Sequence, residues 1–281
     1  MLLFIIFFIS CILTSTTVYF NQYLNGNVIL WSIPLLLIAF MLLVFLTVVL
    51  ILYIITLFVR PDKALKRPRP FYTFMIKIAA EFITSFLRVK LDIRGLDKVP
   101  TNTQFLLVGN HQSNLDPIIN VWAFSKFKIT FIMKDAIMKV PVLGRFLYGG
   151  GFLPLDRKND RKALETIVTA TKRLQEQVHP IAVYPEGTRS KGPHIKEFRN
   201  GVFKIAQKGK CPIVIAIVDN TYRLKTHFPF RRLKVLVEVV DVLDYELIKD
   251  MHTNELGDLV HQKMVNTLEQ RRKELSYLKE V

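Results

Sequence analysis

The first 59 residues of this 281-residue chain contain no Asp, Glu, Lys or Arg. All 62 charged residues, and with them the whole formal charge of +16, fall in the 222 that follow. The uncharged stretch does not suit a soluble surface, and the charged remainder has an ordinary soluble composition, which excludes a polytopic transporter. Cysteine is scarce. Cys11 lies in an apolar run and Cys211 beside a strand-like segment, which excludes a disulfide framework. No pair of Cys or His has ligand spacing, so no zinc site is expected. Dinucleotide and P-loop glycine fingerprints are missing, as are nucleic-acid motifs, internal repeats and low-complexity segments.

What is present begins with two apolar runs, Leu2 to Phe20 and Val28 to Val59, separated by the uncharged polar break Asn21 to Asn27. About 20 helical residues cross a hydrocarbon core, so both runs are long enough. Pro34 either kinks the second or marks where its lipid-buried part begins. A charged leader and a small-residue cleavage site are not evident, which argues against a signal peptide. Arg60 to Pro70 then carries five bases and one acid. The positive-inside rule places that segment, and the domain after it, on the cytoplasmic face. The chain is therefore expected to be an integral or monotopic membrane protein, by two spans or by a hairpin dipping into one leaflet. Of the partners that suit a basic chain, anionic lipid headgroups are favoured and nucleic acid is not.

The charged part predicts an α/β fold. Apolar residues recur at helical spacing from Phe71 to Lys90, an amphipathic helix expected to pack on the domain or lie on the membrane. Short apolar runs follow at Phe105–Val108, Ile129–Met133, Ile181–Tyr184, Ile213–Val218 and Leu233–Val240. Runs of this length ended by turn chemistry suit strands buried on both faces. Helical patterns lie between them at Arg161–Gln177 and Gly201–Lys208, and the highly charged Leu256–Lys279 reads as a solvated surface helix. The expected organisation is membrane helices over 1–59, a basic linker and amphipathic helix over 60–90, and the sheet domain over 91–281.

Three constellations sit at strand ends, where α/β folds build sites. In Gly109–Pro117, His111 and Asp116 are five residues apart. The carboxylate can keep one ring nitrogen protonated and leave the other as a base. With no Ser or Cys nucleophile beside it, such a pair points to direct deprotonation of a substrate hydroxyl. The competing reading is a helix cap, with Asn114 or Asp116 satisfying helix amides and His111 a polar loop residue. In Tyr184–Ser190, a turn with Glu186, Gly187, Thr188 and Arg189 offers amides, a hydroxyl and a guanidinium to a phosphate, with Glu186 orienting the arginine or polarising a hydroxyl. An ordinary turn with a surface ion pair is the competing reading. In Gly149–Lys158, three glycines allow close backbone approach and Arg157 supplies an anion donor.

Taken in this order, these motifs resemble those of the glycerolipid acyltransferase family, and most nearly its lysophosphatidic acid acyltransferases. The likeness covers Leu91 to Val218. His111 and Asp116 match the His-x4-Asp motif. Gly151, Pro154, Leu155, Asp156 and Arg157 match a second block, and Glu186 to Arg189 a third. Cys211-Pro212-Ile213-Val214 resembles the fourth, with Ile215 where a second proline is common.

The resemblance implies an α/β domain with a central mostly parallel sheet flanked by helices, preceded by an N-terminal hydrophobic hairpin. It implies acyl transfer from acyl-CoA or acyl carrier protein to the sn-2 hydroxyl of lysophosphatidic acid, with His111 as base and Asp116 orienting it. Arg157, Glu186, Gly187, Thr188 and Arg189 are the implied phosphate-binding residues, and Pro212, Ile213 and Val214 the implied acyl or acceptor pocket. No metal or other cofactor is implied. Glycerol-3-phosphate or another lysophospholipid as acceptor, a non-catalytic lipid-binding relative and a hydrolase are the alternatives.

Overall fold

The computed structural model describes residues 2–26, 32–59, 65–156 and 158–279. The chain divides into two compact units, Met1–Arg60 and Pro61–Val281.

The first unit is a pair of helices, α1 (Leu2–Asn25) and α2 (Ser32–Leu57), packed on one another. Both hold stretches long and apolar enough to cross a membrane, Phe4–Gln22 and Ser32–Leu57. Several of their hydroxyls are satisfied within the helix. The hydroxyls of Ser10, Thr14 and Thr47 donate to the carbonyls of Ile6, Ser10 and Leu43, four residues back, at 2.7–2.8 Å. Helix α1 runs through most of the expected polar break to Asn25. Pro34 sits in the first turn of α2, where its missing N–H leaves no intrahelical bond unmade.

The second unit is a seven-stranded sheet in the order β1-β7-β6-β2-β5-β3-β4. The strands are β1 (Val89–Arg94), β2 (Leu106–Gly109), β3 (Thr130–Lys134), β4 (Leu153–Leu155), β5 (Ile181–Val183), β6 (Ile213–Asp219) and β7 (Leu233–Leu243). Neighbours are parallel except β6 and β7. The helices are α3 (Pro70–Phe86), α4 (Asp116–Ala123), the short α5 (Asp135–Met138) and α6 (Leu143–Gly149), α7 (Asp160–Gln175), α8 (Lys204–Gly209), the single turns α9 (Leu224–His227) and α10 (Tyr245–Ile248), and α11 (Thr253–Glu274). Asn159 caps α7 by accepting from the Lys162 amide at 3.1 Å.

Strand residues alternate between two cores because the side-chain period is two. Leu106, Val108, Ile213, Ile215 and Ile217 face one core, with Ala170 and Leu174 of α7, Ile205 of α8 and Val260 of α11. Leu107, Val214, Ala216 and Val218 face the other, with Ile76 and Ile83 of α3 and Ile119 of α4. This is the mostly parallel sheet with helices on both faces that the sequence predicts.

Three expectations change. The helix expected through Lys90 stops at Phe86. Leu87 caps it, Arg88 takes a left-handed φ of 57°, and β1 begins at Val89 to pair with β7. The boundary expected between 90 and 91 therefore falls inside a strand. Helix α11 is not merely a solvated surface helix. It buries Leu256, Val260, Met264 and Leu268, and its last turn sends Arg271 and Arg272 to the buried carboxylates Glu238 and Asp219. The glycines of the third constellation make room for packing. A Cβ on Gly149 would lie 2.5 Å from the Tyr72 ring, and one on Gly150 would clash with the Ile76 side chain.

Candidate active site

Strands β2 and β5 lie side by side in the middle of the sheet. After β2 the chain crosses through α4 on one face toward β3, and after β5 it crosses through α8 on the other face toward β6. The two exits diverge and leave a crevice at the carboxyl ends of these strands, the topological switch point where α/β sheets bind ligands. His111 and Glu186 stand on the two loops.

Asp116 opens α4 and its side chain is fully buried. One oxygen accepts from the amides of Gln112 (2.6 Å) and Ser113 (2.7 Å) and lies 2.8 Å from His111 Nδ1. The other accepts from the hydroxyls of Ser113 (3.2 Å) and Thr221 (2.5 Å). With the carboxylate accepting, Nδ1 carries the proton and Nε2 is the basic nitrogen. Among the described residues Nε2 has no hydrogen-bond partner, and the imidazole remains partly open to solvent. Asp116 thus closes the loop through the Gln112 and Ser113 amides and fixes the imidazole tautomer, whereas the capping reading is not met, since the α4 N-cap, Leu115, has no side-chain hydrogen bond.

The rest of the loop is held from both sides. The His111 amide donates to Glu186 Oε1 at 2.6 Å, and its carbonyl accepts from the Ser190 amide at 2.7 Å. The Lys191 amide donates to the Gln112 carbonyl at 3.2 Å. Asn110 extends the β2–β6 ladder by one side chain, donating to the Val218 carbonyl and accepting from its amide. The imidazole stacks on Tyr184 with ring centroids 4.3 Å apart and planes 9° from parallel. Behind Tyr184 lies Phe131, at 5.1 Å. Burial, with the Asp116 charge nearby, pushes the Tyr184 phenol well above its ordinary pKa, and its oxygen accepts from Asn120 at 3.0 Å. Tyr184 is therefore a neutral platform for the imidazole.

Glu186 is buried, and both oxygens are committed to backbone amides, those of His111 and of Lys196 (3.0 Å). Burial raises its pKa to about 7 against the opposing pull of those two amides. The side chain clamps the two loops together and neither meets Arg189 nor reaches solvent. Gly187 has φ +70°, and a Cβ there would press on Arg199 at 3.2 Å. Thr188 is exposed and Arg189 half-buried, with no ion-pair partner among the described residues. The Lys196 ammonium donates to the Arg189 carbonyl at 2.9 Å. With Lys191 and Arg199, these side chains give the crevice a basic rim that suits an anion. Arg157 lies outside the described residues.

Pro212, Ile213 and Val214 are not at the crevice. They are buried at the start of β6, level with Leu106 and Leu107, and Ile213 and Val214 fill opposite cores. It is the far end of β6 that reaches the site, because parallel strands bring their carboxyl ends together. There Asp219 accepts from Gln112 Nε2 at 2.8 Å and pairs with Arg272 at 2.7 Å, and Thr221 follows. The sequence reading did not select Gln112, Asp219, Thr221 or Arg272. The one local signal is the polar Asp-Asn-Thr that ends the apolar run of β6. Among the described residues, no three His, Cys, Asp or Glu side chains gather as a metal site.

Residues 90–218 match the model of the family described as Acyltransferase. The chain is 30% identical over 177 residues to the 1-acyl-sn-glycerol-3-phosphate acyltransferase of Saccharomyces cerevisiae, covering 62% of this chain and 57% of that protein. It is 26% identical over 183 residues to the enzyme of the same name from Borreliella burgdorferi, covering 64% and 72%. The fold is similar to the crystal structure of the 1-acyl-sn-glycerophosphate acyltransferase PlsC from Thermotoga maritima, with a TM-score of 0.61 and 20% identity over 79% of this chain and 87% of that one. The stretch that matches that family model, residues 90–218, is the one that holds His111, Asp116 and Glu186, and the chain spans 57% of the length of the Saccharomyces cerevisiae relative.

Proposed function

We propose that the protein acylates the sn-2 hydroxyl of lysophosphatidic acid, giving phosphatidic acid, with an acyl thioester as donor. The observation that carries this reading is the 2.8 Å contact between His111 Nδ1 and buried Asp116, which leaves Nε2 as the free basic nitrogen of a partly exposed imidazole. Nε2 takes the proton of the acceptor hydroxyl as its oxygen attacks the thioester carbonyl. The C–O bond forms, the tetrahedral intermediate collapses, the C–S bond breaks, and the thiolate recovers the proton from Nε2. Base catalysis of this kind is worth about two to four powers of ten.

Arg189, Thr188 and the Gly187 backbone, joined by Arg157, are assigned to the acceptor phosphate. Glu186 is assigned to holding the loops in register. The chemistry calls for no metal or other cofactor, and acyl-CoA and acyl carrier protein both satisfy it as donors. The acceptor and product stay in the bilayer, which accounts for the two apolar helices, and the basic segment after them supports a cytoplasmic orientation by the positive-inside rule.

The test is labelled acyl transfer from each donor to lysophosphatidic acid, glycerol-3-phosphate and other lysophospholipids, comparing wild type with His111→Ala. Phosphatidic acid from the wild type alone supports the reading. Equal rates in the two proteins, or release of free fatty acid with no acylated product, would overturn it.

A further inference from the structure

Helix α3 is apolar on two opposite sides. Its inner side, with Tyr72, Ile76, Ala80, Ile83 and Leu87, packs on the sheet domain and on α4. Its outer side carries Phe71, Phe74, Ile78, Phe82 and Phe86 at three- and four-residue spacing, a single stripe along the helix. Phe74 is 59% exposed and Phe86 55%. The stripe does not stop at the helix end. The Phe82 ring meets Phe86 at 6.1 Å, and Phe86 meets Phe228 at 5.9 Å, on the loop between α9 and β7. Arg88 ties the two segments by donating to the Pro229 carbonyl at 3.3 Å. Next in that loop is Phe230, 86% exposed, the most exposed large apolar side chain in the described residues.

Base surrounds this apolar track. Residues 65–90 and 221–235 together hold eleven Lys and Arg against one acid, Glu81, so these two segments carry +10 of the chain's +16. Few of these bases are drawn inward by a carboxylate. Lys234 reaches Asp92 at 3.6 Å, while Arg231 and Arg232 are exposed. Aromatic side chains rimmed by Lys and Arg match the interface of an anionic bilayer, where rings sit at headgroup level and each nearby base adds attraction. Only residues 58–69 connect α2 to α3, about 40 Å of chain at full extension. A bilayer entered by α2 is within that reach.

We infer that the outer face of α3 and the Phe228–Arg232 loop form a second membrane-binding surface, one that beds the soluble unit on anionic lipid independently of the N-terminal helices. Because α3 packs on α4, whose first residue is Asp116, seating this face brings the helix that anchors the catalytic pair next to the lipid surface. The inference rests on the membrane reading of the chain and not on acyl transfer, and it is tested without substrate.

The experiment uses the full chain in phosphatidylcholine vesicles with and without phosphatidylglycerol. An environment-sensitive fluorophore is attached at Phe230→Cys or Phe74→Cys, with Glu269→Cys on α11 as the water-exposed reference. Cys11→Ser removes the competing thiol of α1. Cys211 stays, since burial pushes its thiol up to about 12. The expected result is a blue shift and quenching by spin-labelled lipid at 230 and 74 but not at 269, in anionic vesicles and weakened by salt. Arg231→Gln and Arg232→Gln should each lower the ratio of seated to unseated protein about fivefold. Labels at 230 and 74 that stay as wet as 269 in every lipid overturn the inference. So does quenching indifferent to lipid charge, or protection that grows with protein concentration in detergent, which would assign the face to a second copy of the chain.

Discussion

The Thr221 hydroxyl lies 2.5 Å from Asp116 Oδ1, although 105 residues separate the two in sequence. Thr221 follows β6 and Asp116 follows β2, adjacent parallel strands, so the contact exists because the sheet places their carboxyl ends together. It completes the coordination of a fully buried carboxylate whose other oxygen is shared by two amides and the imidazole.

Removing that donor should misplace the pair without emptying the crevice. Thr221→Val keeps the shape and leaves Asp116 Oδ1 with the longer Ser113 bond alone, at a cost of about 1–3 kcal/mol for an underpaired buried group. The expected outcome is a fall in kcat of about tenfold or more with KM little changed, and recovery in Thr221→Ser. Steady-state kinetics of the three proteins checks it. Loss of affinity with kcat intact would mean that Thr221 acts on substrate instead.

Arg272 supports the same corner from α11. It pairs with nearly buried Asp219 and donates to the Pro193 carbonyl at 2.6 Å. Truncating one partner of a buried pair strands the other, at about 3–5 kcal/mol. Arg272→Met should therefore lower stability by that order in thermal or denaturant unfolding. Pairing it with Asp219→Asn should return part of the loss, since the stranded charge is then gone. A double variant as unstable as the summed singles would show that the two residues act separately.

Glu186 should leave a mark on the pH dependence of stability. Burial lifts its pKa from 4.5 to about 7 in the folded protein. Between those values the folded chain keeps a proton that the unfolded chain has lost. Its contribution is thus fully present below about pH 4.5 and disappears as pH rises through 7, a change of up to about 3 kcal/mol. Glu186→Gln should remove this slope. It should also cost activity, because an amide offers one acceptor oxygen to two backbone donors. Unfolding curves of both proteins from pH 5 to 8 decide the point.

His179 should act in the opposite sense. Both ring nitrogens are buried and have no hydrogen-bond partner among the described residues, and burial, aided by the Arg173 charge, lowers its pKa to about 3. Below pH 6.5 the unfolded chain takes up a proton that the folded chain refuses, so stability present above 6.5 is lost as pH falls toward 3, by up to about 5 kcal/mol. His179→Leu should be the more acid-resistant protein. An acid-unfolding midpoint unchanged by the substitution would contradict the assignment.

The sequence alone determined much of this protein. Fifty-nine uncharged residues require an apolar environment, because no soluble surface of that length goes without charge. Short apolar runs ended by Gly109, Pro185 and Asp219 mark strands buried on both faces, and His111 with Asp116 is a local pair whose geometry follows from one turn and one helix start. Other features depended on long-range contacts that leave no periodic trace. Glu186 is a clamp on two amides and not a ligand for Arg189, a choice made by the β2–β5 pairing. Ile213 and Val214 are core because the register sets them beside Leu106 and Leu107, away from the strand ends. Arg271 and Arg272 read as solvent-facing until α11 packs and brings them to Glu238 and Asp219. Spacing along a chain fixes which side chains share a turn or a face. Only the assembled sheet fixes which loops meet at the carboxyl ends of its strands, and the crevice is made where two of them do.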